Sequence, residues 1–407
     1  MKTLKKLLSC LIVLMLLPVS ASAEEWLNGL FGGKNTPELR YISVPEKAFG
    51  EENSRVLAAT ADESSVLINS YRELYLWNKS LGRRVPIVFT EETDLELFNF
   101  RIDTAAYMAC MKRPGNSSTR EEVQQKVEEQ KKEYLASSSL ACLTSFDDIN
   151  KCYGEIVSLS ARAEAIGPRY AIISLYQLNI VILLDMQTGQ GRILEDGICA
   201  LCGDRLLTSE GITKLETGET YMPGVMDAEA QMPSWVSAVR LLRDDSVLVV
   251  YPDPSMNEDK TRNIRLIDAS AERTYFIDIG AFNATNIDFR LLCTCDGKYA
   301  AAYCPNAYMA SESVIVDRAT GEAKKTDIGD LMLIGQAQDA FLCYNVKTGQ
   351  IALLKPDTLE QTSVKLEGMG LGAVLNYSQA NSLVDNGENL YFAQQDNLHG
   401  YFKLTDG

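Results

Sequence analysis

A hairpin that recurs along the chain constrains its fold more than any other feature. A strand running into a polar turn with a late glycine appears as Leu184-Asp185-Met186-Gln187-Thr188-Gly189, as Val316-Asp317-Arg318-Ala319-Thr320-Gly321 and as Tyr344-Asn345-Val346-Lys347-Thr348-Gly349. Looser copies are Trp77-Asn78-Lys79-Ser80-Leu81-Gly82, Leu215-Glu216-Thr217-Gly218 and Ile267-Asp268-Ala269-Ser270. In each, the Asp or Asn side chain is expected to cap the turn, and glycine to take the positive φ that closes it. The next strand follows at once, as in Arg192-Ile193-Leu194 or Tyr275-Phe276-Ile277. Between the turns lie short apolar runs, many alternating, such as Ser65 to Asn69, Tyr170 to Leu175, Ser246 to Tyr251, Lys298 to Tyr303 and Asn389 to Ala393. Short strands joined by hairpins at a recurring spacing make a repeated antiparallel meander.

The Asp-x-x-Thr-Gly hairpins resemble the outer hairpin of secreted bacterial β-propeller repeats, the group containing YVTN-type, TolB-like and quinoprotein-like blades. The resemblance covers Arg40 to Gly407 and implies fold: an all-β chain, a β-propeller. Setting aside residues 24–39 as a leader and 115–164 as an insertion leaves 318 residues of the mature chain, or about 45 for each of seven blades, close to the usual propeller period. The blades fall near Asn53 to Thr90, Thr93 to Glu195 with the insertion inside, Gly197 to Val225, Ser234 to Gly280, Asn286 to Gly329, Leu331 to Gly368 and Met369 to Gly407. The last stops after its third strand, Tyr401 to Leu404. Arg40 to Val44, isolated before the first full blade, is expected to supply the missing fourth strand and close the ring, since an open edge would be left unpaired.

The insertion at about 115–164 reads as an α-helical hairpin. Ser118 with Glu121, or Thr119 with Glu122, offers a capping box, and Val123, Val127 and Tyr134 make a thin apolar stripe on a polar helix. A second segment carries Ile149, Cys152, Ile156, Leu159 and Ala163 on one face.

The first residues carry Lys2, Lys5 and Lys6, an apolar run follows from Leu7 to Leu17, and Ala21-Ser22-Ala23 precedes Glu24. That is the pattern of a signal peptide cleaved after Ala23, giving a secreted or extracytoplasmic chain whose association with a cell surface stays open. The apolar run is too short to span a bilayer, and Cys10 lies inside it rather than after it, which argues against a retained anchor and against a lipoprotein. Cleavage takes the formal charge from −16 to −19 by removing the three lysines. A chain so acidic repels phosphate backbones and anionic membranes, so nucleic acid is excluded as a partner class. Nine cysteines remain, Cys110, Cys142, Cys152, Cys199, Cys202, Cys293, Cys295, Cys304 and Cys343, most among apolar neighbours, and zero to two disulfides are expected.

No residue is assigned a catalytic, cofactor-binding or metal-binding role. His399 is the single histidine and no Gly-x-Ser-x-Gly elbow accompanies it, which excludes a serine triad and histidine-rich metal sites. Cys199-Ala200-Leu201-Cys202, with Cys293-Thr294-Cys295 as a second arm, has metal-site spacing. In an extended strand residues three apart face opposite sides, so apolar filling is the preferred reading. Asp253, Asn257, Glu258 and Asp259 crowd one loop without the EF-hand spacing, and Asp147 and Asp148 read as helix N-terminal charges. No Walker-type loop is present, and no cofactor is expected.

These features lead to a monomeric, non-catalytic propeller that binds a protein, peptide or glycan partner on one face, with no integral membrane segment after cleavage. The alternative is a secreted enzyme of glycosidase or lyase type using carboxylates at the channel mouth. A third reading is an accessory subunit docked through the helical hairpin.

Overall fold

The computed structural model describes residues 36–50, 54–70, 73–89, 91–94, 96–98, 100–101, 119, 121–122, 125, 161–194, 199–222, 238–252, 262–268, 273–277, 290–304, 312–369, 375–395 and 398–405. The residues read as a signal peptide, most of those read as a leader, nearly all of those read as a helical insertion, the turn after Ile267-Asp268 and the acidic stretch from Asp253 to Asp259 lie outside the described residues.

After β1 (Glu38–Ser43), the first meander runs through β2 (Arg55–Ala59), β3 (Ser65–Asn69), β4 (Leu74–Asn78) and β5 (Arg83–Pro86). A short β6 (Val88–Phe89) leads toward the second, β7 (Ala161–Ile166), β8 (Tyr170–Leu175), β9 (Ile180–Asp185) and β10 (Gln190–Leu194). The third is β11 (Ala200–Cys202), β12 (Arg205–Thr208), β13 (Gly211–Lys214) and β14 (Thr220–Tyr221), and the fourth β15 (Ala238–Leu241), β16 (Val247–Pro252), β17 (Arg262–Asp268) and β18 (Arg273–Ile277). The fifth comprises β19 (Arg290–Cys293), β20 (Tyr299–Cys304), β21 (Glu312–Asp317) and β22 (Ala323–Asp327), and the sixth β23 (Leu331–Gln336), β24 (Phe341–Asn345), β25 (Ile351–Leu354) and β26 (Gln361–Glu367). The last has β27 (Leu383–Asp385), β28 (Leu390–Ala393) and β29 (Gly400–Thr405). Within each meander every strand is antiparallel to its predecessor, and the sixth and last join through β1 into one eight-stranded sheet.

The first strands of successive meanders lie against one another, β7 on β2, β11 on β7, β15 on β11, β19 on β15, β23 on β19 and β27 on β23, while β28 of the last meander returns to β2. The architecture is therefore mostly β and propeller-like. Packing between neighbours explains the residue pattern. A strand covered on both faces is apolar on both faces rather than alternating, and every residue of Ser65–Asn69, Leu331–Gln336 and Leu390–Ala393 is buried. Outer strands such as Arg83–Pro86 and Gln361–Glu367 are largely exposed. The outer edge of the second meander is covered in its turn. β6 pairs in parallel with β10, the Ile193 N–H donates to Asp94 Oδ2 at 3.1 Å, and Phe98 packs on Phe89 with ring centroids 5.2 Å apart.

The recurring turn does what its residues require. Asp185 Oδ1 accepts the Gln187 N–H at 2.9 Å while the Gly189 N–H returns to the Asp185 carbonyl at 2.9 Å. Gly189 stands at φ +81°, where a side chain would also strike the Pro86 carbonyl. Asp317 and Asn345 repeat the pattern, each capping two N–H groups. The copies do not share one place. Asp185 and Asp317 join third to fourth strands, whereas Asn345 joins the second to the third. The sixth meander's own outer turn is Lys355-Pro356-Asp357-Thr358-Leu359, where Leu359 takes glycine's role at φ +58° and its N–H reaches the Lys355 carbonyl at 2.9 Å.

Closure follows the expected route with a shifted boundary. β1 is antiparallel to β29 from Glu38↔Thr405 to Ser43↔Gly400, and its first three residues also run parallel to Lys365–Glu367 of β26. Glu38 and Leu39, read as leader, thus belong to the ring, and Leu39 is fully buried. Likewise Ala161 to Glu164, read as the end of the insertion, begin β7, because alternate residues pack inward there. Of the two capping boxes, Thr119 and Glu122 form one, with N–H donations of 2.9 and 3.3 Å.

A polar clasp ties the last meander to the first. Glu63, in the left-handed region at φ +58°, accepts from Tyr401 Oη and Lys403 Nζ, and Lys79 Nζ donates to Tyr401 Oη at 2.9 Å. Burial pushes the Glu63 carboxyl up, but the bonds from Lys403 and Tyr401 together outweigh it and hold it below the usual range. Asp185, against Arg169, and Asp244, against Arg318, are held low in the same way after a like burial effect. A carboxyl depressed in the folded state contributes stability that is complete above its unfolded pKa and lost as pH falls through its folded one. The unfolded values are near 4.5 for Glu and 3.8 for Asp. The melting temperature is therefore expected to be level between about pH 7 and 5 and to fall below about pH 4, with a shallower acid limb in Glu63→Gln. Scanning calorimetry against pH checks this; a transition unchanged to about pH 3 contradicts it.

Candidate functional site

Because strands alternate in direction, the turns after β7, β11, β15, β19, β23 and β27 share one end of the array. They enclose a cavity of about 330 Å³ whose wall combines Arg205, Arg240 and Arg243 with Cys202, Cys293, Cys295, Gln336, Asn386 and Glu388. Apolar side chains from Ile166, Leu201, Leu241 and Leu242 complete it. Among the described residues lining it none is aromatic, and Glu388 is the single carboxylate.

The turn Arg243-Asp244-Asp245 organises this wall by reaching three neighbours. Asp244 pairs with Arg318 of the fifth meander, which also donates to Ser246 Oγ at 2.9 Å and to the Gly297 carbonyl at 2.8 Å. Asp245 pairs with Arg205 of the third, and Tyr221 Oη donates to Asp245 Oδ2 at 2.7 Å. Burial, together with that carboxylate, pushes the Tyr221 hydroxyl up to about 12. Arg243 Nη2 donates to the Gly387 carbonyl of the last meander at 2.8 Å. Three residues before Arg243, Arg240 donates to Asp385 Oδ1 at 3.2 Å and to the Leu291 carbonyl at 3.1 Å. Asp385 is 4% exposed at its side chain and also accepts the Gly387 N–H at 2.9 Å.

The cysteine motif is split by the fold. Cys202, Cys293 and Cys295 meet at the cavity, whereas Cys199 packs beside Tyr170, Ile172 and Leu183 between the second and third meanders. Cys199, Cys202, Cys293, Cys295 and Cys343 are all free thiols. Burial pushes Cys293 up to about 11 and Cys295 up to about 12. It raises Cys202 too, against the pull of Arg205, Arg240 and Arg243. At neutral pH these groups are protonated and poor nucleophiles. Among the described residues no cluster of His, Cys, Asp and Glu has the arrangement of a metal site. His399 lies away from the cavity, stacked on Phe49 at 4.1 Å. Among the described residues, the wall offers cationic and hydrogen-bond donors.

The arginines went unassigned in the sequence. A signal was present in Arg240-Leu241-Leu242-Arg243-Asp244-Asp245, where two cations and two anions frame a buried pair, but their partners lie as far off as Asp385.

No protein-family model matches the chain, and no curated protein matches it. Solved structures do resemble it at low identity. The Myceliophteria thermophila Cps50 (Swd1) β-propeller domain is 8% identical, with 90% of this chain and 100% of that one covered and a TM-score of 0.39. An oligogalacturonate lyase in complex with manganese is 9% identical, with 91% and 97% covered and a TM-score of 0.41. The extracellular domain of BT4673 from B. thetaiotaomicron is 10% identical over 90% of this chain and 40% of that one, with a TM-score of 0.40. At these scores the likeness adds nothing to the strand order and pairing, which place the chain among propeller-like β proteins. No described helix is long and apolar enough to cross a membrane.

Proposed function

We propose that this chain is an exported, non-catalytic recognition protein, a single ring of seven blades that binds a protein, peptide or glycan partner on the face bearing the cavity. Seven four-stranded units, the last completed by β1, support the blade count. The lysine-rich start, the apolar run and the Ala21-Ser22-Ala23 site support export. A monomer is supported by the exposed large apolar residues among the described ones, Leu81, Phe100, Tyr176, Met222, Val346, Leu359 and Tyr377, which come from separate turns, short helices and the residue after β14.

The observation that carries the reading is the composition of the cavity wall. Hydrolysis or elimination by paired carboxylates needs two of them facing one space. Among the described residues, three guanidinium groups and one carboxylate face it, and the next acid, Asp385, is taken by Arg240 and the Gly387 N–H. Peptide and glycan arrays probed with residues 24–407 test the proposal. Saturable binding without consumption of the bound compound is expected. Multiple turnover that disappears in Glu388→Gln would instead establish an enzyme.

A further inference from the structure

We infer that the cavity takes the free carboxyl terminus of a peptide whose last side chain is apolar, with Arg243 holding the carboxylate. The inference rests on the proposed recognition role and names the ligand chemistry of that same face.

The three guanidinium groups are not equivalent. Arg205 and Arg240 are each engaged by an aspartate. Arg243 is exposed, donates through Nη2 to the Gly387 carbonyl at 2.8 Å, and pairs with no carboxylate among the described residues. Its remaining N–H groups leave the planar fork that suits a carboxylate. Glu388, the lining acid, also has no cationic partner among the described residues, so the wall favours one negative charge on the ligand over two.

Asn386 supplies an independent sign of an unfilled site. It is 2% exposed in the same wall. Its Oδ1 accepts the N–H groups of Glu388 at 3.0 Å, Asn389 at 3.1 Å and Leu390 at 3.0 Å, which fixes the orientation of the amide. Its Nδ2 is then a buried donor with no partner. Buried donors are rarely left unmade, and a ligand oxygen or an ordered water would complete this one.

Size and lining choose among carboxylates. A cavity of about 330 Å³ lies at the small end of ligand pockets and admits a chain end, not a folded loop. Leu201, Leu241, Leu242 and Ile166 offer an apolar wall for one side chain. Sugar rings are commonly held on aromatic faces, and the described lining has none, which favours a peptide over an acidic glycan. Capture of a terminal carboxylate is an established mode of peptide recognition.

The test is fluorescence anisotropy with N-terminally labelled pentapeptides ending in Leu, Val or Asp, each as free acid and as amide. Free acids ending in Leu or Val are expected to bind, with amidation or a terminal Asp weakening them at least about tenfold, the range of a charge-assisted hydrogen bond. Arg243→Gln should weaken the acids by a similar factor and leave the amides alone, Arg243→Lys should retain part of the affinity, and Lys324→Gln on an outer strand should change nothing. Melting curves report whether each variant is folded. Equal binding of acids and amides, or binding of uronate oligosaccharides in place of peptides, overturns this inference while leaving recognition standing. No peptide binding in either form also overturns it, and the arrays then decide the broader role. Turnover of a bound compound overturns the recognition role itself.

Discussion

Removing residues 36–44 is expected to abolish cooperative folding. β1 is hydrogen-bonded along both edges, to β29 over six residue pairs and to β26 over three. Its loss leaves two strand edges open at once, and such edges template association. Total stabilities of single domains are about 5–15 kcal/mol, so losing a strand paired on both sides removes a major fraction. Gly400 shows how close the fit is, since a side chain there would collide with the Ile42 carbonyl and the Tyr41 ring. A milder probe is Leu39→Ala. Leu39 is fully buried within the core formed by the fifth, sixth and last meanders, and truncating such a leucine costs about 2–5 kcal/mol. Urea unfolding followed by circular dichroism reads both variants. Leu81→Ala, at an exposed site, serves as the control and should lie within about 0.5 kcal/mol of the parent. A truncated chain that melts like the full one would remove β1 from the list of structural elements.

Asp385→Ala is expected to destabilise by about 3–5 kcal/mol, because it leaves Arg240 uncompensated in a largely enclosed wall. The loss has two parts. The guanidinium forfeits its anionic partner at 3.2 Å, and the Gly387 N–H loses its acceptor at 2.9 Å. Asp385→Asn keeps an acceptor oxygen for Gly387 and should cost less. The double variant Arg240→Met with Asp385→Leu should recover much of the deficit, since replacing both members of a buried pair by apolar groups is often neutral. Chemical denaturation of the parent, Arg240→Met, Asp385→Leu and the double variant forms a closed cycle, with Asp385→Ala and Asp385→Asn measured beside it. If Asp385→Ala lies within about 1 kcal/mol of the parent, the pair is not buried as described.

The strands and their turns were legible because their chemistry is local. Asp185, Asp317 and Asn345 each bond to N–H groups two and three residues on, so the hairpins can be read from six letters. Their position in the meander was not legible, since the same turn serves wherever two strands reverse. That is why Asn345 was grouped with Asp185, and why the Lys355 to Leu359 turn, with neither Asp at its start nor Gly at its end, escaped notice. The closing strand was legible by subtraction, as a blade one strand short and a strand without a blade. The cavity was not. Arg240 with Asp385, Asp244 with Arg318 and Asp245 with Arg205 are joined only through the ring, and side chains 40 to 145 residues apart carry no shared sequence period. The cysteines illustrate the same limit, since Cys202 and Cys199 look like partners by spacing and are sent to different packing clusters.

The pairing of β1 with β29 also sets an order of events in time. Residues 38–43 are synthesised and, on the proposed route, exported long before 400–405, so the strand that closes the ring must wait, unpaired on that edge, for nearly the whole chain to follow. Contacts of such sequence separation make folding slow. Pairing of β1 with β29 can therefore come no earlier than the synthesis of residues 400–405, and until then that edge of β1 is open to capture by another chain or to a protease.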